Sequence, residues 1–360
     1  MAADTTVPYA GLSPERILEA LESVGLRPDG RLLALNSYEN RVYQVGMEEG
    51  GPLVAKFYRP GRWTRAAILE EHRFVQQLAD AEIPAVPPLA FPAKSVGEVA
   101  DEAADAFEDR RGTRTLPEYG GFAFAVFPRC PGRVPALDQP ETLEWMGRFL
   151  GRIHAVGALE PYRHRLTLDI DSFGHAPRNW LLAHAMIPPD LLPAWRSVVD
   201  QALEAVQACY ARAGNVGLLR LHGDCHAGNV LWIDEADAPR YGAGVLPGPH
   251  FVDFDDSCMG PAVQDLWMLL SGDRAAMTRQ LGDILAGYED FCSFDPRELH
   301  LVEALRTLRL IHYSGWLARR WDDPAFKVAF PWFDTPRYWQ DRILELREQI
   351  ALMQEPPLVA

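Results

Sequence analysis

The run L-H-G-D-C-H-A-G-N-V-L-W (residues 221–232), followed after a polar loop by H-F-V-D-F-D-D (residues 250–256), decides how this chain is read. Asp224 sits in a loop that leaves the apolar segment 218–221, and Asn229 stands just before a second one, 230–233. A loop gripped by two short strands aims both side chains into one place. Asp253 closes a further strand-like segment after Phe251 and Val252. A carboxylate beside an attacking hydroxyl orients it and accepts its proton. An amide oxygen ligates Mg²⁺ without adding charge, and a carboxylate at a strand end bridges such a metal to phosphate oxygens. Asp224 is therefore the expected base, with Asn229 and Asp253 the expected Mg²⁺ ligands and Asp253 catalytic through that role. The chemistry suited to this set is phosphoryl transfer from a metal-bound nucleotide with no covalent intermediate.

Outward from that pair, the N-terminal side reads as strands. Ser13 is an N-cap with Pro14 in the first turn, opening a helical pattern through Ile17, Leu18, Leu21 and Val24. Residues 41–45 alternate, E-E-G-G-P marks a turn, and residues 53–58 give a second strand, so the pair predicts an antiparallel hairpin. Lys56 lies inside that second strand, where its ammonium can meet phosphate oxygens if a helix carboxylate fixes it. Residues 64–80 are helical by the spacing of Ile68, Leu69, Phe74, Val75 and Leu78. Glu71 is the first choice for the partner of Lys56 and Glu70 the second, because the register of the helix is open by one position.

Residues 94–118 form a polar, acidic insertion, and P-R-C-P-G-R (residues 128–133) breaks the apolar strand before it. Beyond that break, residues 141–156, 190–213, 264–270, 275–291, 296–320 and 338–353 all carry helical patterns. The expected fold class is α+β and bilobal, of protein-kinase type, with a small antiparallel-sheet N-lobe, one controlling helix and a larger helical C-lobe. The expected divisions are an N-lobe over 1–128, a hinge at 129–133 and a C-lobe over 134–360. The C-lobe carries a catalytic loop at 222–229 and a metal-binding strand end at 251–256, and the nucleotide is expected between the lobes.

Composition excludes several function classes. The 360 residues exceed one ordinary core, which suits two lobes. Thirty-five Lys and Arg stand against 50 Asp and Glu, a net charge of −15, so neither a nucleic-acid surface nor an anionic-membrane surface is expected. The five cysteines are widely spaced with no C-x-x-C pair, as in a reducing compartment. The N-terminal M-A-A-D-T-T-V-P-Y-A has no secretory pattern and no apolar run is long enough to span a bilayer, so a cytoplasmic monomer is expected. His222, Cys225 and His226 lack the second ligand pair of a zinc site and read as loop packing, with His222 as the brace. Asp255 and Asp256 stand between metal ligation and solvated loop charge, Asp265 reads as a helix-start carboxylate or loop brace, and Trp316, Trp321, Trp332 and Trp339 read as packing.

The order Lys56, Glu71, H-G-D-C-H-A-G-N, F-V-D-F-D-D resembles the aminoglycoside phosphotransferase and choline kinase group of protein-kinase-like enzymes. L-N-S-Y-E-N-R-V-Y-Q (35–44), V-A-K-F-Y-R-P-G-R-W (54–63), I-L-E-E-H (68–72), G-P-A-V-Q-D-L-W-M-L-L (260–270) and the R-R-W-D-D-P-A-F tail narrow the resemblance to the bacterial stress response kinase A subfamily, over nearly the whole chain. It implies an ATP- and Mg²⁺-dependent serine/threonine protein kinase of the stress response acting on protein substrates. By match of motif, Asp224 is the proton acceptor, Asn229 and Asp253 are the Mg²⁺ ligands, and Ser37 lies in the nucleotide-covering turn. There is no G-x-G-x-x-G, so in N-S-Y-E-N the backbone and the Ser37 hydroxyl would do what glycines permit elsewhere. The 94–118 stretch is longer than the group's usual connection. Two alternatives keep much of this: a kinase of small amino alcohols or aminoglycosides, and a nucleotide-binding pseudokinase scaffold.

Overall fold

Ser13 caps helix α1 (Pro14–Glu22), its hydroxyl accepting from the Arg16 amide at 3.3 Å. The apolar stripe of α1, Ile17, Ala20 and Leu21, is buried against Val45, Ala55, Phe57, Phe124 and Val126. The computed structural model describes residues 8–92, 113–242 and 245–359, so most of the 94–118 insertion lies outside the described residues. Two compact units divide the chain: Met1–Val134 with Val230–Asp255, and Pro135–Asn229 with Asp256–Ala360.

The first unit is built on strands β1 (Pro28–Ala34), β2 (Arg41–Met47), β3 (Leu53–Phe57), β4 (Phe91–Pro92), β5 (Thr113–Arg114), β6 (Glu118–Tyr119) and β7 (Phe122–Pro128), with helix α2 (Arg65–Asp80) after β3. Five of the strands form an antiparallel sheet in the order β1-β2-β3-β7-β6. The predicted hairpin is β2–β3, and its register sets Lys56 between Val42 and Ala125 on the central strand. Alternation then sends Ala55 and Phe57 to the α1 core and Lys56 to the opposite face, where Ala125 packs with Ile68 of α2. Strand β1 carries no hydrophobic alternation and is mostly exposed, so the sequence reading did not delimit it.

The hairpin of Val230–Ile233 with Gly248–Phe251 belongs to this unit, whereas 134–360 was expected to be one lobe. The cause is backbone pairing that sequence periodicity does not report: Phe251 bridges Ala85 and Trp232 bridges Arg133. Gly132 permits that second contact, since a Cβ there would stand 2.9 Å from the Leu231 carbonyl carbon.

In the second unit, helix α3 (Pro140–Gly157) is followed by a π-helical turn (Asp171–His175), α4 (Ala176–Ala183), α5 (Leu192–Ala213), α6 (Val263–Trp267), α7 (Arg274–Tyr288), α8 (Val302–Arg319), α9 (Pro324–Ala329) and α10 (Pro336–Leu352). A single helix was expected from 296, but Pro296–Leu301 is a 3-10 segment leading into α8. Among the described residues no helix is long and apolar enough to cross a membrane. Trp195 and Trp339 are buried and meet edge to face, as the packing reading of Trp339 expects.

Helices α3 and α7 approach closely because glycines face the partner backbone. A Cβ on Gly147 would fall 1.9 Å from the Ile284 carbonyl oxygen, and one on Gly287 would fall 2.0 Å from that of Glu144. Gly147→Ala is expected to destabilise the fold by about 3 kcal/mol, the upper part of the range for overpacking, because backbone rather than a movable side chain blocks the methyl group. Urea denaturation checks this; an unchanged midpoint contradicts the close approach.

Candidate active site

Lys56 reaches the far face of the sheet almost fully buried, and its ammonium lies 3.0 Å from Oδ1 of Asp253 and 3.2 Å from Oδ1 of Asp255. Burial opposes its charge, but the carboxylates of Asp253, Asp255 and Glu71 outweigh it and hold the proton on Lys56 well above the ordinary lysine range. Glu71 is 2% exposed on α2 and Glu70 is only half-buried, so the inward helix carboxylate is Glu71.

Asp253 itself is half-exposed and sits at φ +60°, a left-handed conformation uncommon outside glycine. Strain of this kind is kept where the surroundings over-determine the backbone, and here Phe251 is pinned two residues earlier by donation of its amide to the Pro84 carbonyl at 2.8 Å.

The turn 35–40 is tied down without glycines. Ser37 donates its hydroxyl to the Asn40 carbonyl at 3.1 Å, Tyr9 donates to the Glu39 carbonyl at 3.0 Å, and Asn40 accepts from the Arg59 amide at 3.1 Å. Buried Asn40 also donates to Asp255 at 3.0 Å, and Arg62 pairs with both Asp255 and Glu39. Asn40, Arg62 and Asp255 were not among the expected site residues. Asp255 is 3% exposed, so of its two readings solvated loop charge is not its state. The signals were two carboxylates in the F-D-D segment and two arginines in Y-R-P-G-R-W.

In the second unit, the H-G-D loop is held from behind. Asp265 on α6 is fully buried and accepts from the His222 amide at 2.8 Å and the Gly223 amide at 2.9 Å, while His154 on α3 lies 3.1 Å from its Oδ2. Burial alone would raise this carboxyl; the His154 ring, His222 and the Gly223 amide more than offset it and hold it below the usual aspartate range. Gly223 has φ +86°, and a Cβ there would stand 2.1 Å from the Asp256 carbonyl oxygen, which is why the loop reads H-G-D. His222 braces the loop as expected, accepting from the Asp224 amide at 3.4 Å.

Asn229 donates its amide nitrogen to the Asp224 carbonyl at 2.9 Å, which leaves its amide oxygen as the atom able to meet a cation. Arg309 on α8 places Nη2 2.7 Å from Oδ1 of Asp224, an ion pair without hydrogen-bond alignment. No sequence signal linked Arg309 to the loop. Among the described residues no group of three or more His, Cys, Asp or Glu could hold a metal. Cys225 is buried, and burial pushes its thiol well above the ordinary range. The carboxylate of Asp253 and the amide oxygen of Asn229 are each, taken singly, a donor of the kind Mg²⁺ accepts.

The chain crosses from one unit to the other after Val134, after Asn229 and after Asp255, so two of the three crossings fall inside the motif. A kinase-type lysine with its aspartate in one unit and a braced H-G-D loop in the other define a class. Residues 31–302 match the family model of the phosphotransferase enzyme family, APH, and the chain belongs to that family.

More particular likeness runs over almost the whole chain. Stress response kinase A of Escherichia coli strain K12 is 43% identical over 350 residues, 97% of this chain and 96% of that protein. The Salmonella typhimurium strain LT2 protein named serine/threonine protein kinase RdoA is 40% identical over 355 residues, 99% of this chain and 98% of that one. Among solved structures, amicoumacin kinase hAmiN in complex with AMP-PNP, Ca²⁺ and Ami aligns with a TM-score of 0.65 at 17% identity, covering 96% of this chain and 94% of the other. A microcompartment-associated aminopropanol kinase aligns at 0.62 and 15%, covering 94% and 96%. These likenesses show the fold: α+β and of the bilobal protein-kinase type, as the sequence predicts.

Proposed function

We propose that this phosphotransferase is an ATP- and Mg²⁺-dependent serine/threonine protein kinase of the bacterial stress response, working in the cytoplasm. The observation that carries it is the buried Lys56, kept charged 3.0 Å from Asp253, in a chain about two-fifths identical over nearly its full length to relatives named stress response kinase and serine/threonine kinase. Lys56 holds phosphate oxygens of ATP, with Glu71 orienting its ammonium and the tied turn at Ser37 covering the nucleotide. Asn229 and Asp253 are the oxygen donors for Mg²⁺. When bound, that ion neutralises charge on the phosphates. Asp224 orients the acceptor hydroxyl and accepts its proton.

The test is phosphosite mapping by mass spectrometry in a lysate given wild type or Asp224→Asn, beside a radiolabelled-phosphate screen of small alcohols. New phosphoserine and phosphothreonine that vanish with the variant support a protein kinase. Transfer to amino alcohols alone supports the small-molecule alternative, and absence of all transfer and of ATP turnover supports a scaffold.

Asp253→Asn tests the donor end. Asparagine tolerates φ near +60°, so the change removes charge without adding strain. Mg²⁺·ATP affinity is expected to fall roughly tenfold or more, the effect of losing a charge-assisted contact of about 1.5–3 kcal/mol. Unchanged affinity by titration calorimetry would remove Asp253 from the ligand set.

A further inference from the structure

Asp224 does not stand open in its own unit. Its Oδ1 is buried under the Arg309 guanidinium at 2.7 Å, and the Arg309 side chain is 42% exposed. Around Oδ2 stand the amide nitrogen of Asn229 and Nε2 of His226, each at 3.5 Å. Arg309, Asn229 and His226 thus all present donors to the carboxylate.

An acceptor hydroxyl that reaches Oδ1 must displace Arg309. The displaced guanidinium then loses its carboxylate partner, and the loss is smallest if the acceptor brings an anion of its own. An acceptor with an ammonium next to its hydroxyl would meet like charge instead, which suits neither an amino alcohol nor an aminoglycoside.

We propose that Arg309 is the specificity-determining residue of the acceptor site, and that it selects an acidic Ser/Thr peptide segment whose carboxylate stands beside the phosphorylated residue and takes the guanidinium displaced from Asp224. This rests on the kinase reading above and names the acceptor class for it.

The test uses the full chain with ATP and Mg²⁺ on three acceptors: a serine peptide with flanking Glu, the same peptide with Lys in place of each Glu, and ethanolamine. Wild type should favour the Glu peptide by about tenfold or more in kcat/KM. Arg309→Gln should bring the two peptides within about twofold of each other, and Arg309→Glu should reverse the order. Thermal unfolding of each variant at the wild-type temperature shows that specificity and not folding has changed.

Equal rates on the two peptides, preference for the Lys peptide, or transfer to ethanolamine with neither peptide overturns this inference and leaves phosphotransfer standing. Transfer to none of the three by wild type overturns the inference and the kinase reading together.

Discussion

Asp224→Ala is expected to lower kcat on the true acceptor by roughly 10²- to 10⁴-fold, the usual contribution of a positioned general base. The affinity for ATP should change by less than about twofold, because the residues assigned to phosphate, Lys56 and its carboxylate partners, lie in the other unit. The geometry makes Asp224→Asn the more telling companion. Asparagine keeps an oxygen to orient the hydroxyl but accepts no proton, and it gives up the Arg309 ion pair. If orientation were the whole role, Asn would recover most of the rate. If proton acceptance dominates, both variants should be equally slow. Single-turnover measurements with γ-labelled ATP separate chemistry from product release. Transfer at the wild-type rate by either variant removes Asp224 from the role of base.

The parts of the site legible in the sequence are those carried by short contiguous runs. Asp224 and Asn229 lie five positions apart in one loop, and Lys56 falls on a strand whose alternation is plain. Glu71 over Glu70 needed the helix register, which the buried stripe of α2 supplies. What stayed hidden is made by residues far apart in the chain. Asn40 and Arg62 meet Asp255 across roughly two hundred positions, and Arg309 meets Asp224 from a helix whose pattern only reports its buried side. Hydrophobic periodicity records which face of an element is covered and says nothing of which polar tip touches which. The same limit explains the 230–255 hairpin: its strands were read, but their attachment through Ala85 and Arg133 is a matter of backbone pairing at a distance.

Asp265 also acts at a distance, and its removal should have the largest effect on folding. Its carboxylate only accepts, so Nε2 of His154 must carry the proton of that contact, and Nδ1 accepts from the Tyr288 hydroxyl at 2.9 Å when the ring is neutral. Asp265→Ala would leave the His222 and Gly223 amides and the His154 ring buried without their acceptor. Breaking a buried network of this kind costs about 3–5 kcal/mol. Asp265→Asn keeps one acceptor but turns an NH₂ toward donors, so it should recover only part of the loss. The pH dependence gives a second, independent check. Since the folded carboxyl is held below the ordinary 3.8, its contribution is complete above that value and is lost as pH falls through the lower folded pKa. Wild type should therefore lose stability on acidification in a step that Asp265→Asn lacks, measured by urea midpoints from neutral pH down to about pH 3. Parallel acid curves for the two proteins would mean that Asp265 does not hold the loop as a carboxylate. A variant with normal stability and a lost rate would instead place its effect in the positioning of Asp224, one residue beyond the amides it grips.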